Sequence, residues 1–476
     1  MSVRIQKLVA AGLLVSALLG GAGQGRAIAG GDSTAQGAST LEQEAQSLLA
    51  EYLRLDTTNP PGNEIKAAQF FKAIFDREGI ESRIFESAPG RANIYARLRG
   101  DGSKKAFVLL NHMDVVPADR RYWSVDPFGG TIQDGYLWGR GAIDMKTMGI
   151  FELMAMLTLK REGIPLKADV IFLGTADEEA GGLMGAGYMV KEHFDLLKDA
   201  GAVVNEFGSI SVGDDGNIQY YGVYTTEKAP LWLKLTTTGT PGHGSRPRPD
   251  SAVVKLIEAL HRIVGYRTPL RVEPEVQKFY ADTADLDPSP ARRERLKDLA
   301  QALRDPAFAA EFTKDLRANA SVRNTISITM LEGSNKINVI PPEATAQLDV
   351  RLLPSQDSQQ FLKELRAVIA DDSIKIEPIM GFAPSASPVE SEFMTVLKAV
   401  AHQFHPGTKV TTPLLMGFTD CHFFREKGIP CYGFTPLRMT AKELSGVHGN
   451  DERISLENVV FGTRMMVEIV RRMAAQ

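Results

Sequence analysis

Phe107-Val108-Leu109-Leu110-Asn111-His112-Met113-Asp114 is the stretch on which the reading of this chain turns. A short apolar run with no polar interruption reads as a strand buried on both faces. The run Ala106 to Leu110 is one, Val170 to Leu173 is a second and Ala202 to Val204 a third, with helix-period segments such as Gly149 to Lys160 between them. Runs of this kind alternating with helices indicate a largely parallel sheet covered on both sides, so the fold class is α/β.

In open α/β sheets ligands bind beyond the carboxyl ends of the strands. After Leu110 come Asn111-His112-Met113-Asp114, after Leu173 come Gly174-Thr175-Ala176-Asp177-Glu178-Glu179, and after Val204 come Asn205-Glu206. Each buried run therefore delivers a histidine or carboxylates to one edge. Gly139-Arg140-Gly141-Ala142-Ile143-Asp144 adds an acid on a glycine-rich turn, and Gly446-Val447-His448-Gly449 adds a second histidine. Carboxylates gathered this closely repel one another unless cations neutralise them, so the pattern itself argues for metal. Two histidines with Asp and Glu and no thiolate suit zinc, with manganese or cobalt less specific choices. His112 and Asp114, two apart on an extended segment, face the same way, which lets Asp114 accept the second ring N–H of His112 and fix its tautomer.

From about Lys228 the pattern changes. Leu231 to Thr238 alternates apolar with polar, a helix is expected over Ser251 to Ile263, residues 286–318 are charged with a helical period, and Asn324 to Leu331 and Thr345 to Leu352 alternate again. One-sided strands with helices between them suggest an antiparallel α+β unit. The expected plan is an α/β domain over 40–227 and 355–476, interrupted by a smaller α+β domain over 228–354. Asp214-Asp215-Gly216-Asn217 lacks the glutamate a calcium loop needs at its twelfth position and reads as a hairpin turn.

The N-terminus has its own grammar. Arg4 and Lys7 precede the apolar run Leu8 to Leu19, and small residues follow as far as Ala27 and Ala29. The run is short for a membrane span of roughly 20 residues. Residues 1–29 are expected to be a cleavable signal peptide, which makes the protein an exported one, periplasmic or secreted, without a stable membrane anchor. Lys+Arg 54 against Asp+Glu 58 gives a net charge of -4, with no basic run to suggest a nucleic-acid partner. Cys421 and Cys431 are the only cysteines, too few for a disulfide scaffold or a thiolate zinc site; in an oxidising compartment the two could pair, but two buried thiols are the expected reading.

His112-x-Asp114, Gly139-Arg140-Gly141-Ala142-x-Asp144, Glu178-Glu179, Glu206 and His448, in that order, resemble the M20 family of metallopeptidases and aminoacylases. The resemblance covers the chain from about residue 41 onward. It implies a zinc-peptidase-like catalytic domain and a smaller lid domain through which a homodimer forms. It implies two zinc ions bridged by Asp144, one also held by His112 and Glu206, the other by Glu179 and His448, with Glu178 as general base and Asp114 supporting His112. Within Gly239-Thr240-Pro241-Gly242-His243-Gly244-Ser245, His243 looks like the family histidine that reaches an active site, commonly a partner subunit's, and touches the scissile carbonyl. Asn338 and Arg351, in family-like segments, would bind the substrate carboxylate. One departure stands out: Thr419-Asp420-Cys421-His422 carries His422 where many relatives have arginine.

The expected activity is hydrolysis of the amide bond in a small peptide or N-acyl amino acid with a free carboxylate. A deacylase of small metabolites, of the acetylornithine or succinyl-diaminopimelate type, is the alternative, and the export signal counts against it. A non-catalytic binding protein on the same scaffold would be expected to lack the base or a ligand, and here all are present.

Overall fold

In the computed structural model residues 40–475 are described, and the expected signal peptide lies outside them. Ten strands carry the architecture: β1 (Glu81–Ala88), β2 (Arg91–Leu98), β3 (Lys104–His112), β4 (Ala168–Thr175), β5 (Ala200–Asn205), β6 (Ala229–Thr238), β7 (Thr325–Glu332), β8 (Glu343–Leu352), β9 (Lys375–Gly381) and β10 (Cys431–Gly433). The first sheet runs in the order β1-β2-β4-β3-β5-β10. Its centre is parallel, β4 with β3, β3 with β5 and β5 with β10, while β1 and β2 add an antiparallel edge.

Strand periodicity explains why both faces of this sheet are covered. On β3, Phe107 and Leu109 join one core, built with the helices Thr40–Leu53, Ile65–Arg77, Lys146–Arg161, Glu392–Phe404 and Leu456–Ala475. Val108 and Leu110, pointing the other way, join a second core with the helices Ala186–Glu192 and Cys421–Arg425. Gly149 lets the helix Lys146–Arg161 lie against β3, since a Cβ there would come 2.8 Å from Oδ1 of Asn111. The fully buried Lys146 donates to the carbonyls of Tyr52 and Leu55, satisfying the C-terminal end of the helix Thr40–Leu53.

The second sheet is antiparallel throughout, in the order β7-β8-β6-β9, and the helices Ala252–Gly265 and Ser358–Ile369 supply its core. This moves one expected boundary. The segment after Pro354 does not rejoin the first domain at once: Ser358–Ile369 packs on the small sheet, and β9 pairs with β6 from Leu231↔Gly381 to Thr236↔Lys375. β9 is a half-exposed edge strand, so its sequence has no buried run to say which sheet it joins. The charged stretch 286–318 forms the short helices Pro290–Lys297, Leu299–Ala302 and Pro306–Phe312 and enters Leu316–Ser321, around a small core of their own. Asp214 to Asn217 is the turn between the antiparallel strands Ser209–Val212 and Ile218–Gly222.

The two cysteines are not free thiols. Cys421 and Cys431 form a disulfide with their Cα atoms 5.3 Å apart, joining the start of the helix Cys421–Arg425 to β10. Spacing of ten residues does not reveal this, because the fold sets the distance.

Candidate metal centre

The strand-end residues converge as their positions require. Nε2 of His112, at the end of β3, lies 3.0 Å from Oδ1 of Asp144 and 3.4 Å from Oε2 of Glu206, just past β5. Nε2 of His448 lies 3.1 Å from Oδ2 of Asp144 and 3.2 Å from Oε2 of Glu179. Asp144 thus touches both histidines, one with each oxygen. His112, Asp144 and Glu206 form one triad and Asp144, Glu179 and His448 a second, the candidate ligand atoms of each lying within 4.8 Å of one another. The peptide bond Asp144-Met145 is cis.

Electrostatics describes a charge-starved centre. Burial pushes the Glu206 carboxyl up to about 8 and raises that of Glu179. It raises Glu178 well above the carboxylate range, with the charge of Glu206 adding to the effect. Burial would raise Asp144 too, but hydrogen bonds from His112 and His448 outweigh it and hold Asp144 far below the usual range. His448 rises to about 10 through its bonds to Asp144 and Glu179. Burial works against a charged His112, yet Glu206, Asp114 and Asp144 together raise it. Oε1 of Glu179 and Oε1 of Glu206 are buried with no hydrogen-bond partner. Orphan carboxylate oxygens beside two imidazole nitrogens are what divalent cations would satisfy, so the residues present fit a two-metal site.

Asp114 works differently from expectation. Nδ1 of His112 is 2.9 Å from the Asp114 carbonyl oxygen, and the Asp114 carboxylate stands back at 3.5 Å. The main-chain carbonyl, rather than the carboxylate, fixes the tautomer that turns Nε2 toward the cluster. The carboxylate instead accepts from the backbone N–H of Glu178 (3.1 Å) and Glu179 (3.2 Å) and from Nδ2 of Asn59 (2.8 Å). It clamps the turn that presents both glutamates. That turn begins at Asp177, whose φ of 72° is left-handed, and Asp177 is held by Arg91, which also pairs with Glu64. Gly182 closes it at φ 72°, where a Cβ would meet Oδ1 of Asp420 at 2.3 Å. Among the described residues no hydrogen bond engages the Glu178 carboxylate.

Glu452 was not singled out in the sequence. Its buried carboxylate accepts from Nη1 of Arg140 (2.7 Å) and from the backbone N–H of Gly141 (3.0 Å), Ile143 (2.7 Å) and Asp144 (3.1 Å). Arg140 also donates to the carbonyl of Gly449 and lies under Trp123. One carboxylate thus ties the loop bearing Asp144 to the loop bearing His448. Asp420, likewise missed, accepts from Thr175 and is raised to about 8 by burial. The available signal for Glu452 was its place four residues after His448 in a loop.

The remaining expected residues lie on the smaller sheet's side. His243 sits on an exposed two-residue strand, with Nδ1 2.8 Å from Oγ of Ser245, paired with Val339 beside the exposed Asn338. Arg351 pairs with Asp349 (2.7 Å) and lies over Phe418 and Trp232, while its Nη1 is buried without a partner. His422 stacks on Phe382 with ring centroids 3.6 Å apart, and its Nδ1 lies 3.4 Å from Glu426. It is committed to packing, so it does not reproduce a substrate-gripping arginine.

An α/β sheet that assembles two histidines and three acids into adjoining triads defines a hydrolase with a two-centre site. The profile of peptidase family M20/M25/M40 matches residues 108–472. Aminoacylase-1 of Sus scrofa is 28% identical over 446 residues, 91% of this chain and 96% of its own. The N-fatty-acyl-amino acid synthase/hydrolase PM20D1 of Bos taurus is 30% identical over 419 residues, covering 85% and 81%. Among solved structures, the M20 family metallo-carboxypeptidase Sso-CP2 from Sulfolobus solfataricus matches with a TM-score of 0.69 at 20% identity, covering 90% of this chain and 98% of that one. The chain belongs to peptidase family M20/M25/M40, and it is an amide-bond hydrolase of that type.

Proposed function

We propose that the protein is an exported hydrolase that uses two zinc ions to cleave the amide bond of a small peptide or N-acyl amino acid with a free carboxylate. The observation that carries this is the pair of triads sharing Asp144, with the Glu178 carboxylate beside Glu206, His112 and Glu179 and, among the described residues, without a hydrogen bond. His112 and Glu206 would hold one ion and Glu179 and His448 the other, with Asp144 between them. Bound there, the pair would supply Lewis acidity, lowering the pKa of water toward roughly 7 and polarising the scissile carbonyl. The neighbouring positive charge would also bring Glu178, now raised by burial, back to the ionised form that a base needs.

Glu178 takes the proton of the attacking water as its oxygen joins the carbonyl carbon. It then gives that proton to the amide nitrogen as the C–N bond breaks, leaving an acid and an amine. Asp114 keeps Glu178 in place through the backbone of the turn. Arg351, with its unpartnered Nη1, is suited to the substrate carboxylate, together with Asn338.

A homodimer through the smaller sheet fits the exposure of His243, which would then act on a partner's site. The exposed Ile257, Leu331 and Ile337 near that sheet supply apolar area for such a contact. Export is supported by the signal-like N-terminus and by the Cys421–Cys431 disulfide, a bond that persists in oxidising compartments. Among the described residues no helix is long and apolar enough to cross a membrane.

The test is a panel of N-acyl amino acids and short peptides, assayed with zinc, after chelation and after zinc is restored. Turnover of at least one free-carboxylate substrate, lost and regained with the metal, is expected. Turnover that survives complete chelation would sink the proposal.

A further inference from the structure

The helix Ala252–Gly265 ends, and strand β7 begins, beside the helix Leu316–Ser321, and the three meet around an open groove of about 880 Å³. Arg267 enters it from the loop after the first helix, and Arg323 from the residues just before β7. Among the described residues no carboxylate lines the groove, although Asp+Glu 58 outnumber Lys+Arg 54 in the chain. Two guanidinium groups therefore share one space without a counter-charge.

Arg323 is the sharper observation. Its Nε is buried with no hydrogen-bond partner, and among the described residues its side chain makes no ion pair. Burial disfavours its charge first and the charge of Arg267 second, with no acid to offset either. A guanidinium keeps its proton at any physiological pH, so it cannot escape this setting by becoming neutral. An anion in the groove is what would relieve it.

Both arginines are nevertheless held in place. Nη1 of Arg267 donates to the carbonyl of Val264 at 3.2 Å. Behind Arg323 stands the buried Lys228, whose Nζ donates to the carbonyls of Ala320 (3.1 Å) and Arg323 (2.9 Å) and to Oγ1 of Thr325 (3.1 Å). Thr325 also lines the groove, and since its hydroxyl oxygen accepts from Lys228, its hydrogen can be given to an acceptor there. Arg351 lies in register with Thr325 one strand further in, but it pairs with Asp349 and does not line the groove.

We infer that this groove is a binding site for an oxyanion, a carboxylate or phosphate group, held by Arg267 and Arg323 with the Thr325 hydroxyl as a further donor. Two guanidinium forks and a hydroxyl match the several acceptor lone pairs of such a group. The exposed Val264 and Leu316 at the margin offer apolar surface to the body that carries it. The site is separate from the acid–histidine cluster and stands whether or not that cluster cleaves amides.

The test uses the zinc-loaded full chain and calorimetric titration with hexanoate, hexyl phosphate and the uncharged hexanol. Any anion held at the zinc centre is held alike in wild type and in groove variants, so the difference between them isolates the groove. At least one of the two anions should bind the wild type at least about tenfold more tightly than it binds Arg323→Gln, with Arg323→Lys falling between. Hexanol should not distinguish the proteins. The tighter anion identifies the headgroup as carboxylate or phosphate. Arg267→Gln repeats the test should Arg323→Gln not fold, as judged by its thermal transition.

KM for an N-acyl amino acid should stay within about twofold in Arg323→Gln. A rise in KM as large as the loss of anion affinity would make the groove part of the substrate site and overturn a separate one. Anion binding that is unchanged in both variants would also overturn the inference, as would variants that alter only the association of two copies of the chain.

Discussion

Replacing Glu452 by alanine tests whether one buried carboxylate organises the metal-binding loops. In the folded protein it accepts four hydrogen bonds, one from Arg140 and three from the backbone around Asp144. Arg140 and Glu452 are each at most 3% exposed at the side chain. Removing one member of such a buried pair costs about 3–5 kcal/mol, because the other charge stays behind without its partner. Each amide deprived of its acceptor adds about 1–3 kcal/mol, part of which water entering the vacated space would recover. A net loss of about 5 kcal/mol follows, a large share of the roughly 5–15 kcal/mol that holds a folded domain together. Urea denaturation followed by tryptophan fluorescence reads the stability, and elemental analysis of purified protein reads the metal. Glu452→Ala should shift the midpoint by that amount and carry less metal, and Glu452→Gln, which keeps one acceptor, should fall between. A shift worth less than about 1 kcal/mol, with metal content unchanged, would refute the role given to Glu452.

Two other outcomes test separate parts of the account. Glu178→Gln should keep its metal and its fold while kcat drops by about 10²–10⁴-fold, and a near-native kcat would show that another group serves as base. Lys228 is fully buried, donates to the carbonyls of Ala320 and Arg323, and is lowered to about 7 by burial and by nearby Arg351. The unfolded lysine keeps its proton to about pH 10.4, so between about 7 and 10 the unfolded chain holds a proton that the folded chain has released, and stability rises with pH across that window. The stability of wild type minus that of Lys228→Met, from urea curves at several pH values, should grow from pH 7 to pH 9, and a flat difference would count against the lowered value.

The parts of the structure visible in the sequence were those with a local cause. β3, β4 and β5 announce themselves because strands buried on both faces must be apolar at every position, and His112, Glu178, Glu179 and Glu206 follow because they stand where those runs stop. Asp144 and His448 lacked a strand to mark them and were legible through the ordered resemblance. What escaped depends on tertiary proximity. The Asp114 carboxylate turns to the amides of Glu178 and Glu179, more than sixty residues away, while its own carbonyl takes the histidine. Glu452 meets partners more than three hundred residues distant. β9 has too little burial to name its sheet, and the two cysteines are joined only because a helix start and a strand come within bonding reach.

The contact between the 139–144 loop and the 448–452 loop has a consequence for biogenesis. Synthesis runs from the N-terminus, and domains settle as units when their last required segment arrives. His448 and Glu452 are made more than two hundred residues after His112, Asp144, Glu179 and Glu206. A nascent or C-terminally clipped molecule therefore carries His112, Glu179 and Glu206 without the clasp that aligns Asp144. The cluster is therefore complete only once the 448–452 loop has been made and has closed on the 139–144 loop.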